Sequence, residues 1–315
     1  MTATVRVVTG GGPDAAASAR PVPRRPARPA TSRPSSWYLL PAALFFGVFA
    51  AFPLVLVVFL SFTAWEGIGD PVLIGLDNWI RLVGDSRVLD VVGTTLLLTV
   101  LGWATQTPIA LLLGVWAAGP QRNRAILSSI FFLPLLLSSA AVALMWSRLL
   151  DPYFGLAAEF GPFQNILGTP SGALAAIVFV TGWQFIPFHT LLYQAAARNV
   201  PKVLYDAATI DGATRWHMFR HITLPQLKNT IITSSTIMVV GSLTFFETIL
   251  LLTNGGPGTS TYTVPFEMYI RGFRAFEFGY ASAIATVLVV VATAVSLIIV
   301  KFSGFAKMRS TMEGM

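Results

Sequence analysis

Residues 37–62 read WYLLPAALFFGVFAAFPLVLVVFLSF, and no charged side chain occurs anywhere between Arg33 and Glu66. About 20 apolar residues carry a helix across the hydrocarbon of a bilayer; this run is longer. Lipid offers backbone amides no partner, so a spanning run must be helical.

The pattern recurs on either side of this run. Charges are missing between Asp90 and Arg122, Arg124 and Arg148, Glu159 and Arg198, and Glu277 and Lys301, while Ile231 to Leu252 is interrupted only by Glu247. Six spans are predicted, near 38–62, 91–117, 125–147, 173–196, 231–252 and 280–301. Hydrophobic residues make up 54% of the 315 and charged residues 11%, against about 25% charged in an ordinary soluble domain. Mean hydropathy is +0.69. The fold class is all-α integral membrane.

A net charge of +7 would fit a nucleic-acid binder, but its placement follows the membrane instead. With a cytoplasmic N terminus, the inside segments hold the six arginines before the first span, Arg122, Arg124, Arg198, Lys202, Arg215, Arg220, Lys228, Lys301, Lys307 and Arg309. The outside loops hold only Arg81, Arg87, Arg148, Arg271 and Arg274, with nine of the 14 acidic residues. This bias puts both termini in the cytoplasm. Membrane lipid is the expected partner of such a chain and nucleic acid is not. Residues 1–36, rich in Ala, Pro and Arg, are read as a disordered cytoplasmic tail, and 306–315 as a second tail. A signal peptide is the rival for the first run, but that run is long, starts late and lacks a small-residue cleavage site, so a retained helix is expected. The twin-arginine reading of Arg24-Arg25 is set aside with it. There is no cysteine, which excludes disulfides and thiolate metal sites.

The outside loops contain Gly67, Gly69, Asp70 and Pro71, then Asp151-Pro152, Gly155, Gly161-Pro162 and Thr169-Pro170. Such breakers favour compact folded loops. Between spans four and five lies a cytoplasmic loop, 198–230, too long for a simple connection and too apolar for a free linker. Pro201 suits a first helical turn, Lys202 to Ile210 holds mostly helix formers, and Gly212 can end that helix. Ala213 to His221 can form a second helix, stopped near Leu224-Pro225. Helix, glycine turn, helix is predicted. Such a module can dock into a cleft of another protein or fold back on its own bundle, and the residues alone leave both open.

The run Tyr205-Asp206-Ala207-Ala208-Thr209-Ile210-Asp211-Gly212-Ala213, continuing to Phe219, Ile222, Leu224 and Pro225, resembles the "EAA" loop of permease subunits in binding-protein-dependent ABC importers. Asp206 stands where that family usually has Glu, and Asn229 where a second Pro often follows Leu-Pro. Gly75-Leu76-Asp77-Asn78-Trp79, Phe132-Leu133-Pro134 with Met145-Trp146, and Leu252-Thr253-Asn254-Gly255-Gly256-Pro257 with Gly279-Tyr280-Ala281-Ser282-Ala283 are similar to its carbohydrate-uptake branch. The resemblance covers residues 37–305. It implies a six-helix permease domain of the type I ABC importer kind that translocates a sugar, an oligosaccharide or related glycoside, across the cytoplasmic membrane. The implied partners are a second homologous permease, a cytoplasmic ATPase dimer carrying ATP and Mg, and an extracellular solute-binding protein. Asp206, Ala207, Asp211, Gly212, Ala213, Phe219, Leu224 and Pro225 would couple to the ATPase.

The same resemblance places the translocation path along the helices that flank the loop. Sugar hydroxyls need polar partners and ring faces need aromatic ones. Span four offers Trp183, Gln184, Phe188 and His189, and span five Met238, Ser242, Phe245 and Phe246; Gln184 with Phe188, and Met238 with Ser242 and Phe245, have one-face spacing. Glu247 is the ionisable group within an apolar span, facing either a cavity or the water near the span's outer end. Each aromatic has packing against neighbours as its ordinary alternative. Asn254-Gly255-Gly256-Pro257-Gly258 is either a binding-protein contact at the outer mouth or a plain turn. His217 and His221 lack a third ligand, so no metal is expected.

No G-x-x-x-x-G-K-[ST] occurs, so this chain has no phosphate-cradling loop of its own. Neither H-E-x-x-H nor G-x-S-x-G occurs, and no catalytic residue is expected. An ion-driven secondary transporter is the alternative function, though inverted repeats and buried charges are not evident.

Overall fold

The computed structural model describes residues 36–119 and 130–302. The tails expected at 1–36, Ser36 excepted, and at 306–315, and the turn holding Arg122 and Arg124, lie outside the described residues. The chain divides into two units, Met1–Phe49 and Ala50–Met315. All packing described below belongs to the second.

Helix α1 runs Trp37–Leu60. A small antiparallel pairing follows, β1 (Thr63–Ala64) with β2 (Val72–Leu73), Thr63 opposite Leu73. This ladder departs from the purely helical expectation. Helix α2 (Asp77–Gly84) is pinned to it by Asn78, whose side-chain amide donates to the carbonyls of Ser61 (3.0 Å) and Thr63 (2.9 Å). Then come α3 (Ser86–Ala117), α4 (Ser139–Leu149), α5 (Pro170–Arg198), α6 (Lys202–Ile210), α7 (Arg215–Met218), α8 (Lys228–Leu243), α9 (Val264–Tyr269) and α10 (Phe278–Phe302).

Among the described residues, four helices are long and apolar enough to cross a membrane: α1, α3, α5 and α10. They coincide with four of the six predicted spans. The other two are broken. In the 125–147 span, of which 125–129 lie outside the described residues, a 3-10 turn at Leu133–Leu136 precedes extended Leu137 and Ser138 before α4 begins. Pro134 lacks the amide an α-helix needs there, and the Ser138 hydroxyl caps the new helix by accepting from Ala141 N at 3.2 Å. In the 231–252 span, α8 ends at Leu243 and helical structure resumes only at Glu247. Thr244 folds its hydroxyl back on Gly241 O (2.9 Å), and the freed Phe245 carbonyl accepts from Thr263 Oγ1 (3.3 Å). A helix can break inside an apolar segment only when its freed groups find such partners.

The core is the α3–α5 pair. Val91, Thr95, Leu98, Gly102, Gln106, Ala110, Gly114 and Ala117 are buried on α3 at helical spacing. A Cβ on Gly114 would lie 2.6 Å from Tyr193 Cβ and 2.9 Å from Thr190 O, so the two backbones meet where a side chain has no room. One turn on, Gln194 donates to Ala117 O at 2.9 Å. One apolar cluster (Leu98, Val142, Ile177, Ile249, Phe266) fills the end of the bundle near α9, and another (Ala110, Tyr193, Leu227) the end near α6 and α7.

Candidate functional site

The segment between α5 and α8 folds as a helix–turn–helix. Pro201 precedes the first turn of α6 with φ −58°. At its other end the Gly212 amide bonds Thr209 O (3.1 Å) and the Ala213 amide bonds Ala208 O (2.9 Å). This paired closure puts Gly212 in the left-handed region, φ +76°. Thr214 then caps α7 by accepting from His217 N (3.3 Å). The second helix does not stop at Leu224-Pro225 as expected. A π turn at Phe219–Thr223 leads into a helical turn at Leu224–Gln226 with Pro225 near its start, a position where its missing amide is harmless.

Two faces of this segment differ. Met218 and Phe219 turn inward over a cavity of about 330 Å³ shared with Val115, Ala118 and Ala197, and Tyr205 Oη meets Thr223 Oγ1 at 2.9 Å. On the open face, Val203, Asp206, Ala207 and Ile210 are exposed at i, i+3, i+4, i+7, and Ile210 is 87% exposed. That is the spacing of helix-in-groove anchors. Asp211, Gly212 and Pro225 are exposed too, Ala213 and Leu224 half-buried. Of the residues expected to couple, Phe219 thus holds the segment to its own bundle, stacked on Trp216 at 5.6 Å. Val203, which was not expected, and Trp216 are exposed as well. His217 and His221 stack at 4.0 Å, and among the described residues no group of three or more His, Cys, Asp or Glu is placed to hold a metal.

Inside the bundle a cavity of about 250 Å³ is lined by Gln106, Phe188, His189, Met238, Ser242 and Phe245, with Phe185 stacked on Phe245 at 6.1 Å. Four of the residues expected on the path, Phe188, Met238, Ser242 and Phe245, share its wall. Gln184 and Glu247 do not. Gln184 is buried but donates to Leu137 O (3.2 Å) and Ser139 Oγ (3.4 Å), where it satisfies the broken segment before α4. Glu247 is exposed, just past the break after α8. His189, a span-four candidate, also joins this wall, and Gln106 was missed as a polar member of it. His189 Nδ1 meets Ser234 Oγ at 2.8 Å, and Gln106 lies on α3, outside the two helices searched.

A third constellation escaped sequence reasoning altogether. Glu267 of α9 is fully buried between two arginines, accepting from Arg271 Nε at 2.7 Å and Arg87 Nε at 3.1 Å. Arg271 also reaches Glu277 (3.3 Å) and Asp85 (3.5 Å). Arg81 Nη2 in turn donates to both carboxylate oxygens of Glu277, at 2.9 and 3.0 Å. Burial would raise the Asp85 carboxyl, but the Tyr280 hydroxyl (2.8 Å), the Arg87 amide (3.0 Å) and the Arg271 charge outweigh it and hold it below the usual carboxylate range. Burial also works against the Arg271 charge, yet Glu267 and Glu277 raise its pKa further. The cluster ties the start of α3 to α9 and α10.

A bundle of apolar helices with a capped, apolar-faced helical hairpin on one connection is the architecture of a transporter's membrane domain. The chain belongs to the family of binding-protein-dependent transport system inner membrane components, whose model matches residues 106–304. It is 32% identical over 82% of its length to a probable ABC transporter permease protein of Pyrococcus horikoshii, 92% of which is covered. It is 30% identical to the diacetylchitobiose uptake system permease protein NgcF of Streptomyces coelicolor, over 80% of this chain and 76% of that one. A chain in the crystal structure of a bacterial ABC transporter involved in the import of the acidic polysaccharide alginate superimposes with a TM-score of 0.74 at 25% identity, covering 85% of this chain and 95% of that one.

Proposed function

We propose that this chain is one membrane-spanning subunit of an ATP-driven importer of oligosaccharides or related glycosides, paired with a second permease and fed by an external solute-binding protein. The broken segments before α4 and after α8 complete six crossings, with both termini in the cytoplasm. The observation that carries the reading is the exposed stripe Val203, Asp206, Ala207 and Ile210 on a helix closed by left-handed Gly212, an apolar face offered to a cleft on a separate ATPase. The cavity with Gln106, His189, Ser242 and the phenylalanine faces has the mixed polar and aromatic character that a sugar needs. Relatives named for multiple-sugar and diacetylchitobiose uptake support the substrate class.

The test is co-purification with the neighbouring subunits, together with uptake of radiolabelled oligosaccharides into vesicles. Ile210→Asp should abolish ATPase capture and uptake while leaving the bundle's thermal stability unchanged, since its side chain touches little. Uptake that persists in Ile210→Asp, or that runs without ATP and collapses with the proton gradient, would refute it.

A further inference from the structure

The connection between α4 and α5 turns its large apolar side chains outward. Tyr153 is 81% exposed, Phe154 95%, Phe160 61% and Phe163 53%. This exposure is built into the turn. The Asp151 carboxylate accepts from the amides of Tyr153 (2.8 Å) and Phe154 (2.9 Å), and the Gly155 amide bonds Asp151 O (3.1 Å). A Cβ on Gly155 would sit 2.6 Å from the carbonyl oxygens of Arg148 and Leu149, so the turn is pressed against the end of α4. The Tyr153 and Phe154 rings, 6.4 Å apart, therefore project from a fixed base.

Elsewhere at this end several aromatic rings pack inward, although Phe273 and Phe276 before α10 are also exposed. Phe62 lies on Trp79, Trp65 on Phe278 and Tyr262 on Phe266. An outward aromatic group of this size is a contact surface, and three observations favour lipid as what it touches. First, Tyr153 follows shortly after α4 ends, and the remaining chain to α5 is folded into 3-10 turns at Leu156–Glu159, Gly161–Phe163 and Ile166–Gly168, so the rings stay level with the helix ends. Second, that level is where the amphipathic ring of a Tyr such as Tyr153 concentrates at a bilayer, and where Phe side chains bury at the headgroup–acyl boundary. Third, the flanking helices expose apolar residues as well, Leu144 on α4 and Phe179 on α5, while residues 150–169 carry only Asp151 and Glu159 as charges.

We propose that the α4–α5 connection is an interfacial anchor whose aromatic side chains sit in the lipid headgroup layer and fix the depth of α5. This rests on the reading that α5 crosses the membrane. Since the chain has no cysteine, single nitroxides can be placed at Phe154→Cys and Phe160→Cys, both exposed positions, in the full chain with its co-purified subunits in phosphatidylethanolamine–phosphatidylglycerol nanodiscs. Power saturation should give an oxygen-to-nickel-chelate collision ratio several-fold higher at both sites than at Asp70→Cys in the first loop. A ratio at 154 and 160 equal to that at 70 would overturn the anchor. So would labels shielded from both reagents that become accessible when the other subunits are removed, an outcome that assigns the rings to a protein partner. Phe179→Cys on α5 should read as deep in lipid; a chelate-accessible label there would remove the crossing itself, and the anchor with it.

Discussion

Glu267→Ala is the perturbation that most directly weighs the ion-pair cluster. The carboxylate is fully buried and accepts two charge-assisted bonds, from Arg271 and Arg87. Breaking a buried pair by removing one partner costs about 3–5 kcal/mol, because a buried charge is left behind. Here that cost falls at the lower end. Arg271 retains Glu277 and Asp85 as partners, and Arg87, 41% exposed, can turn to water. About 3 kcal/mol is expected, and at about 2–4 °C per kcal/mol for a domain of this size the melting temperature should drop by about 6–12 °C. Arg87→Ala should cost only about 1 kcal/mol, in keeping with a half-solvated pair. The assay is intrinsic tryptophan fluorescence on heating in nanodiscs, with Arg271→Ala and the double variant closing a cycle. Glu267→Ala should couple to Arg271→Ala by more than 1 kcal/mol, within the range seen for residues in one network. A Glu267→Ala melt within a degree of the parent, or an Arg87→Ala loss as large as that of Glu267→Ala, would refute the reasoning.

Gly114→Val should prevent α3 and α5 from closing, since its Cβ would meet Tyr193 and Thr190 O at under 3 Å; detergent-stable protein should fall sharply, and recovery at the parent's level would count against the close approach. Gly212→Ala forces a side chain into φ +76° at about 1 kcal/mol, so amide exchange should rise at Asp211–Thr214 and stay unchanged in α3. For pH, the Asp85 carboxyl is depressed in the folded chain. Its contribution is thus fully present above the unfolded value of about 3.9 and is lost as pH falls through the lower folded one. Asp85→Asn has no carboxyl to titrate there, so its melting temperature should fall less than the parent's as pH drops through that range; parallel acid profiles for the two proteins would contradict this.

What the sequence revealed divides along physical lines. Lipid excludes charge, so α1, α3, α5 and α10 announce themselves as charge-free runs, and the observed bounds fall within a few residues of those expected. The breaks do not. Hydropathy is blind to a span that stops at Leu243 and resumes at Glu247, because the group that makes the stop tolerable is the hydroxyl of Thr263 on a later element. The loop after α5 was legible because its closure is local, the amides of Gly212 and Ala213 bonding residues of the same helix. The ion cluster was not, since Arg81 and Glu277 are 196 positions apart. Each reads singly as an outside charge, and only Glu267 and Arg271 are neighbours in sequence, at i, i+4. Within the cavity wall, helical spacing put Met238 and Ser242 on one face of α8, whereas Phe245 lines the same cavity from the break past that helix's end. It failed for Gln184, whose amide goes to the carbonyl of Leu137, a group freed by a break that no spacing rule reports.

The face proposed for docking and the cavity share their supports, and this bears on how one could act on the other. The helical hairpin hangs from α5 through Asn199–Pro201 and leads into α8 through Leu227, which is fully buried against Ala110 and Tyr193. Tyr205 and Thr223 tie its two arms together. These contacts link α6 to both α5 and α8. Those helices carry Phe188 and His189 on one side of the cavity and Met238, Ser242 and Phe245 on the other. Close-packed cores shift between discrete arrangements more readily than they deform. The break at Thr244–Phe246 gives α8 a place to pivot at the cavity's edge, while the Glu267 cluster holds the start of α3 against α9 and α10 at the far end. On the proposed function, the cavity wall thus lies between the face proposed for docking and the clasped end of the bundle.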